Sequence, residues 1–261
     1  MIITRTPFRI AFFGAETSNP DKFYKNEGQV LSATINKYCN ISLKKLPRFF
    51  EHKHRLLYSD IELVNSISEI NHPAIREIMK TFDIGDMGYE IQHNGDLPAK
   101  SGLGASSAFT VGLFNAFFTE LGLNKSKRDI ANKAIKLQKY VLNELIGSQD
   151  QIATSFGGFN KITIDIEDSF LVEPIPVNYE RLNFLNSHLL LFYSGSKNTP
   201  KLNLTDNLQK TKMEEKKLNT MRPIVEQAIS ILINNTDIKE FGFLMDEAWN
   251  YNRNLYNDKY L

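Results

Sequence analysis

Along this chain the hydrophobic positions switch repeatedly between a spacing of about two and a spacing of about 3.6 residues, the periods of strands and helices. The opening run MIITRTPFRIAFFG mixes β-branched and aromatic residues and closes on Gly14, which predicts a strand. GQVLSATINKYCNISLKKL (28–46) has the same character and predicts a pair of strands. In HPAIREIMKTFDIGD (72–86), Ile75, Ile78, Met79 and Phe82 recur at helical spacing as far as Gly85. GYEIQHNGDLP (88–98) alternates as a strand does and stops at a turn around Asn94 and Gly95. An apolar helix follows from about Ser107 to Leu121.

KSKRDIANKAIKLQKYVLNELIG (125–147) predicts an amphipathic helix with Ile130, Ala134, Leu137, Val141 and Leu145 in one stripe. SQDQIATSFGGFNKITID then turns at Gly157 and Gly158 into a strand. HLLLFYSGSKNTP (188–200) reads as a buried strand running into a polar loop, with two helices after it at about 206–234 and 237–256. This order implies an α+β fold in which helices pack on a largely antiparallel sheet, with a lobe boundary near 175–187.

Composition narrows the function classes. The chain has 261 residues, 42% of them hydrophobic and 23% charged, with a net charge of +1. So small a charge gives no electrostatic case for nucleic acid or an anionic membrane as partner. The single cysteine, Cys39, excludes an intrachain disulfide and reads as a small buried side chain in a reducing compartment. No apolar run approaches the ~20 residues of a membrane span, and the start reads as a strand rather than a signal peptide. A cytoplasmic protein is the expectation. His52 and His54 read as a solvated basic loop, and Trp249 with its aromatic neighbours as packing residues.

The chemistry gathers around DLPAKSGLGASSAFTVG (96–112). A strand, then Gly-Leu-Gly-Ala-Ser-Ser, then a helix lets an anion approach bare backbone N–H groups at a helix start. Gly102 and Gly104 can take positive φ and wrap a phosphate, while the hydroxyls of Ser106 and Ser107 can reach a phosphate oxygen or a bridging Mg²⁺. The spacing is neither that of a Walker loop nor that of the dinucleotide fingerprint. A second candidate is Asp150, in a polar turn just past the 125–147 helix, as a carboxylate aimed at a substrate hydroxyl. Arg9 is a charge planted in an apolar strand, so it needs an anionic partner, and Asp150 is a candidate.

Together, TPFRIAFFGAET, DLPAKSGLGASSAFTVG and GSQDQIATSFGGFNKI resemble the GHMP small-molecule kinases, and within them the heptose phosphate kinases and related sugar 1-kinases. The likeness spans nearly the whole chain. It implies a two-lobed fold: a ribosomal protein S5 domain 2-like N-terminal lobe at 1–180, binding ATP, and a ferredoxin-like C-terminal lobe at 181–261, expected to be incomplete. It implies ATP phosphates on Lys100, Ser101, Gly102, Leu103, Gly104, Ala105, Ser106 and Ser107. Asp150 falls on the catalytic acid and Arg9 on the arginine beside it. Thr17, Ser18, Gln149 and Lys197 fall on sugar or phosphate contacts, and Ser106 and Gln138 on Mg²⁺ ligands.

The chain also departs from that pattern. Ser18 stands where the family has a sugar-binding aspartate, Gln138 where it has a metal-binding glutamate, and Lys197 where it has an arginine. The family's late glycine-rich motif is not found before Leu261. The resemblance therefore implies an ATP-dependent kinase acting on the anomeric hydroxyl of a sugar phosphate, D-glycero-D-manno-heptose 7-phosphate first. The alternative is a degenerate, non-catalytic relative that binds a nucleotide or sugar phosphate. A homodimer is allowed for.

Overall fold

The computed structural model of the protein describes residues 1–17, 27–98, 101–144, 146–165, 167–192, 207–234 and 236–256. Two compact units interleave along the chain, rather than meeting at a single point near residue 180. One holds Met1–Ile10, Thr34–Ile146 and Asp150–Gly157; the other holds Ala11–Ala33, Gly147–Gln149 and Gly158–Leu261. Among the described residues no helix is long and apolar enough to cross a membrane.

In the first unit, strand β1 (Ile2–Phe13) supplies its opening residues and β2 (Gly28–Leu46) its second half. Two short strands, β3 (His54–Leu57) and β4 (Ile61–Val64), form an antiparallel hairpin. Strand β5 (Gly88–Gly95) runs parallel to β3 and antiparallel to β2, in a register that pairs Ile41 with His93 and Leu43 with Ile91. Residues 28–46 are thus one strand and not the expected pair, because no glycine or proline interrupts the stretch from Gln29 to Leu46. Alternate residues Cys39, Ile41 and Leu43 face the core, together with Leu56, Tyr89 and Ile91.

Helix α1 (Pro73–Lys80) covers that core with Ile75, Ile78 and Met79, and α2 (Ala105–Glu120) with Leu113, Phe114 and Phe117. Because α2 is apolar on every side it is buried on nearly every side. Thr4 Oγ1 donates to the carbonyl of Gly112 at 3.0 Å, an approach that a side chain at 112 would obstruct. Helix α3 (Lys127–Ile135) starts at a Ser126–Asp129 capping box, widens into a π-helical stretch at Lys136–Val141 and stops there. The π turn rotates later residues off the predicted stripe, so Val141 is exposed; Leu145 lies outside the described residues.

His54 corrects the expected solvated loop. It is buried on β3, where Nδ1 accepts the Tyr89 N–H, and loss of hydration, with Lys53 nearby, lowers its pKa to about 4. Cys39 is buried as expected, and burial pushes its thiol up to about 12.

In the second unit, the first half of β2 pairs antiparallel with β6 (Phe159–Ile164), which pairs with β7 (Phe170–Pro174). Helices α5 (Tyr179–Ser187), α6 (Asn207–Ile233) and α7 (Lys239–Tyr256) supply most of its core, with Phe13, Leu31, Leu185, Val225, Leu232 and Phe241 buried together. Arg181 donates to the carbonyls of Ile231 and Thr236 and so satisfies the end of α6. Residues 188–192 are not the expected buried strand. Leu190, Leu191 and Phe192 are exposed, because no described strand pairs with them. Trp249 is likewise half exposed rather than packed.

Candidate active site

A glycine-shaped loop leads into α2. Gly102 and Gly104 both lie at φ +76°, as their place in the sequence predicts. A β-carbon at Gly104 would meet Arg9 Cγ at 3.2 Å, whereas one at Gly102 would face open space. Gly104 caps α2 without a side-chain hydrogen bond, which leaves the first-turn N–H groups to water or a ligand. Ser101 adds a buried hydroxyl with no partner among the described residues. Such an orphan fits an anion or a water at this loop.

Arg9 clamps that loop. Its backbone N–H donates to Leu103 O at 3.1 Å, and its Nη1 donates to Gly102 O at 2.9 Å. Nε and Nη2 both reach Asp150 Oδ1, at 2.8 and 2.7 Å. One guanidinium thus fixes the carboxylate and the loop to each other, with the two side chains 11% and 24% exposed. Asp150 does not sit in a turn, as its polar setting suggests. It lies in the first turn of a further helix, α4 (Gln149–Phe156), where a carboxylate meets the positive end of the helix dipole. Thr154 Oγ1 donates to the Asp150 carbonyl at 2.7 Å, and Lys127 Nζ holds Phe156 O at 2.7 Å. Asp150 Oδ2 has no hydrogen-bond partner among the described residues.

A second, neutral arm reaches the same loop. Gln138, in the π-helical stretch, is fully buried. Its Nε2 donates to Ser106 Oγ at 3.0 Å and to Glu144 Oε2 at 2.9 Å. Its oxygen accepts from Ser107 Oγ at 3.2 Å and from Gln151 Nε2 at 2.9 Å. Two expectations change as a result. Ser107 turns its hydroxyl inward and only Ser106 is exposed. Gln138 shows Ser106 its N–H side, so in this arrangement its oxygen is not a ligand for a cation there. Sequence reasoning missed Glu144 and Gln151; a carboxylate six residues before Asp150 was the only signal.

Thr17 and Gln149 belong to the other unit and are described there alone. Thr17 Oγ1 donates to Gly14 O at 2.8 Å and accepts the Gln29 N–H at 3.0 Å, in a tight turn closed around Gly28. Gln149 and Gln29 are each buried with Oε1 lacking a partner among the described residues. Ser18, Lys100 and Lys197 lie outside the described residues.

The loop and the ion-paired aspartate beside it both fall in a segment that is similar to a known family. Residues 66–158, which carry the loop and Asp150, match the family described as the GHMP kinases N terminal domain. It is 26% identical over 258 residues to the D-glycero-alpha-D-manno-heptose 7-phosphate kinase of Campylobacter jejuni, an alignment that covers 95% of this chain and 76% of that protein. Mevalonate kinase from Pyrococcus furiosus is 27% identical over 182 residues, 66% of this chain and 50% of that one. The fold is also that of a crystal structure of a D-glycero-D-manno-heptose 1-phosphate kinase from Bacteriodes thetaiotaomicron. There the TM-score is 0.79 at 21% identity, over 97% of this chain and 79% of that one.

Among the described residues no three His, Cys, Asp or Glu side chains gather into a group that could hold a metal by themselves. Among the described residues the oxygen donors beside the loop include the Ser106 hydroxyl, the Glu144 carboxylate and Asp150 Oδ2. Hard oxygen donors of this kind suit Mg²⁺ when phosphate oxygens and water complete its shell.

Proposed function

We propose that the protein is an ATP-dependent sugar kinase that moves the γ-phosphoryl group to the anomeric hydroxyl of a sugar phosphate, D-glycero-D-manno-heptose 7-phosphate. The single observation that carries this reading is Arg9 bridging Asp150 Oδ1 and the Gly102 carbonyl, a carboxylate fixed beside a phosphate-shaped loop. Similarity to a heptose phosphate kinase supports the choice of substrate class.

In this reading the N–H groups of the loop and of the first turn of α2 hold the triphosphate. Asp150 Oδ2 accepts the sugar hydroxyl proton as its oxygen forms a bond to Pγ and the bond from Pγ to the bridging β–γ oxygen breaks. Arg9 holds Asp150 through the other carboxylate oxygen and keeps it in line. Mg²⁺, when bound, would neutralise charge on the transferring group, with Ser106 as a residue to hold it. Most of the rate enhancement then comes from placement and charge rather than from covalent chemistry.

The test pairs calorimetry with ATP and Mg²⁺ with a coupled ADP-release assay on heptose 7-phosphate. ADP release matched by sugar 1-phosphate formation is expected. Binding without ADP release would favour a non-catalytic relative, the reading that the neutral Gln138 supports. No binding at all would overturn both.

A further inference from the structure

The neutral arm ends in a charge that the kinase reading has not used. Leu142 N–H donates to Leu137 O at 2.9 Å, Asn143 takes φ 53°, and Glu144 N–H folds back to Gln138 O at 2.9 Å. That is the termination pattern in which a left-handed residue reverses the chain over the last turn of its own helix. It carries the Glu144 side chain back to the Gln138 amide, whose other hydrogen is given to Ser106 Oγ.

The orientation of this amide is fixed by its neighbours. Its oxygen takes hydrogens from Ser107 and Gln151, and a flipped amide would turn that oxygen toward a carboxylate. Two oxygens, one from Ser106 and one from Glu144, are therefore held against a single NH₂ group at the start of α2. Glu144 Oε1 has no hydrogen-bond partner, and no lysine or arginine pairs with this carboxylate, among the described residues. A carboxylate with no cationic partner among the described residues, set beside a phosphate-binding loop, would repel a triphosphate unless a cation lay between them. The arrangement has a use once that cation is present.

We infer that Glu144 supplies the carboxylate for the divalent cation that accompanies the nucleotide. It takes the place of the charge absent at Gln138, and Gln138 serves as the positioning residue that holds Glu144 toward Ser106. The inference rests on the kinase reading and extends it to a residue outside the resemblance. It asks nothing of the chain beyond Ser106 and Glu144, because Mg²⁺ commonly takes one or two carboxylates and fills its other positions with phosphate oxygens and water.

The test is metal–nucleotide coupling in the full chain. Calorimetry measures the affinity for AMPPNP in EDTA and again with saturating Mn²⁺, and the ratio of the two is the coupling. For Glu144→Gln the ratio is expected to fall about tenfold, because a ligand and its charge are lost. Affinity in EDTA should stay the same or tighten, since one negative charge near the phosphates has gone. Glu144→Asp, which keeps the charge, should recover most of the coupling, and thermal melts of both variants check that the fold is intact. A ratio unchanged in Glu144→Gln would overturn the inference and leave the kinase reading standing. Equal losses in EDTA and in Mn²⁺ would also overturn it, because they mark a structural role. Absence of AMPPNP binding by the unmodified chain would overturn both.

Discussion

Two arms hold the same loop by opposite means. Arg9 reaches it as a full charge, spanning the Gly102 carbonyl and Asp150 Oδ1 with four nitrogen–oxygen contacts counting its backbone bond to Leu103. Gln138 reaches it as a neutral amide, spending both hydrogens and its oxygen on Ser106, Glu144, Ser107 and Gln151. The charged arm presents one carboxylate oxygen to a reacting hydroxyl. The neutral arm sets hydroxyl directions and holds a second carboxylate at a distance. Removing the first should therefore cost turnover, and removing the second should cost metal coupling.

The largest expected effect breaks the charged arm at its reactive end. Asp150→Asn should lower turnover by about 10³-fold or more while ATP affinity changes less than about threefold, read from ADP release and calorimetry on one preparation. Turnover close to the unmodified level would remove Asp150 from the mechanism. Arg9→Met comes next. It strands both Asp150 and the Gly102 carbonyl, so stability should drop by about 3 kcal/mol in denaturant melts, and turnover by about 10²-fold. A variant with unchanged stability would show that the clamp is dispensable.

Acid sensitivity needs a background correction before either arm is compared at low pH. His54 has a folded pKa of about 4, below the ordinary histidine value of 6.5. As pH falls through 6.5 the unfolded chain takes up the proton first, so the stability fully present above that point is lost toward pH 4. The loss should approach about 3 kcal/mol for this buried ring. His54→Gln should flatten the profile in melts between pH 4 and 7, and an unaltered slope would assign the acid loss to other groups. The smallest effect concerns the loop itself. Gly104→Ala adds a β-carbon at φ +76° and 3.2 Å from Arg9 Cγ, at a cost of about 1–2 kcal/mol. Gly102→Ala carries the same backbone strain and faces open space, so it should be the milder of the two.

The two arms also differ in how far the sequence disclosed them. Gly102, Gly104, Arg9 and Asp150 could be read directly, because small residues before an apolar helix and a lone charge in an apolar strand are local signals. Glu144 could not. Its approach to Ser106 depends on a π-helical widening at Lys136–Val141 and a left-handed Asn143, and no periodicity in 125–147 announces either. The hairpin of β3 and β4 had a signal, the alternation in HRLLYSDIELV around Ser59 and Asp60, but each strand is only four residues long and so weak as a pattern. The opposite failure is HLLLF at 188–192. An apolar run predicts burial only where a neighbour exists to pair with, and no described strand lies against it. Two lobes were expected, but their interleaving along the chain escaped notice for a related reason. Residues of both β1 and β2 are shared between the units, so no composition shift marks a boundary.

The measurement that bears most directly on the phosphate loop is hydrogen–deuterium exchange of peptides covering residues 101–108, with and without ATP and Mg²⁺. Nucleotide should slow exchange of those amides by about tenfold or more, because they donate to phosphate oxygens instead of water. Nucleotide binding proven by calorimetry, with the loop amides exchanging at their free rate, would contradict it.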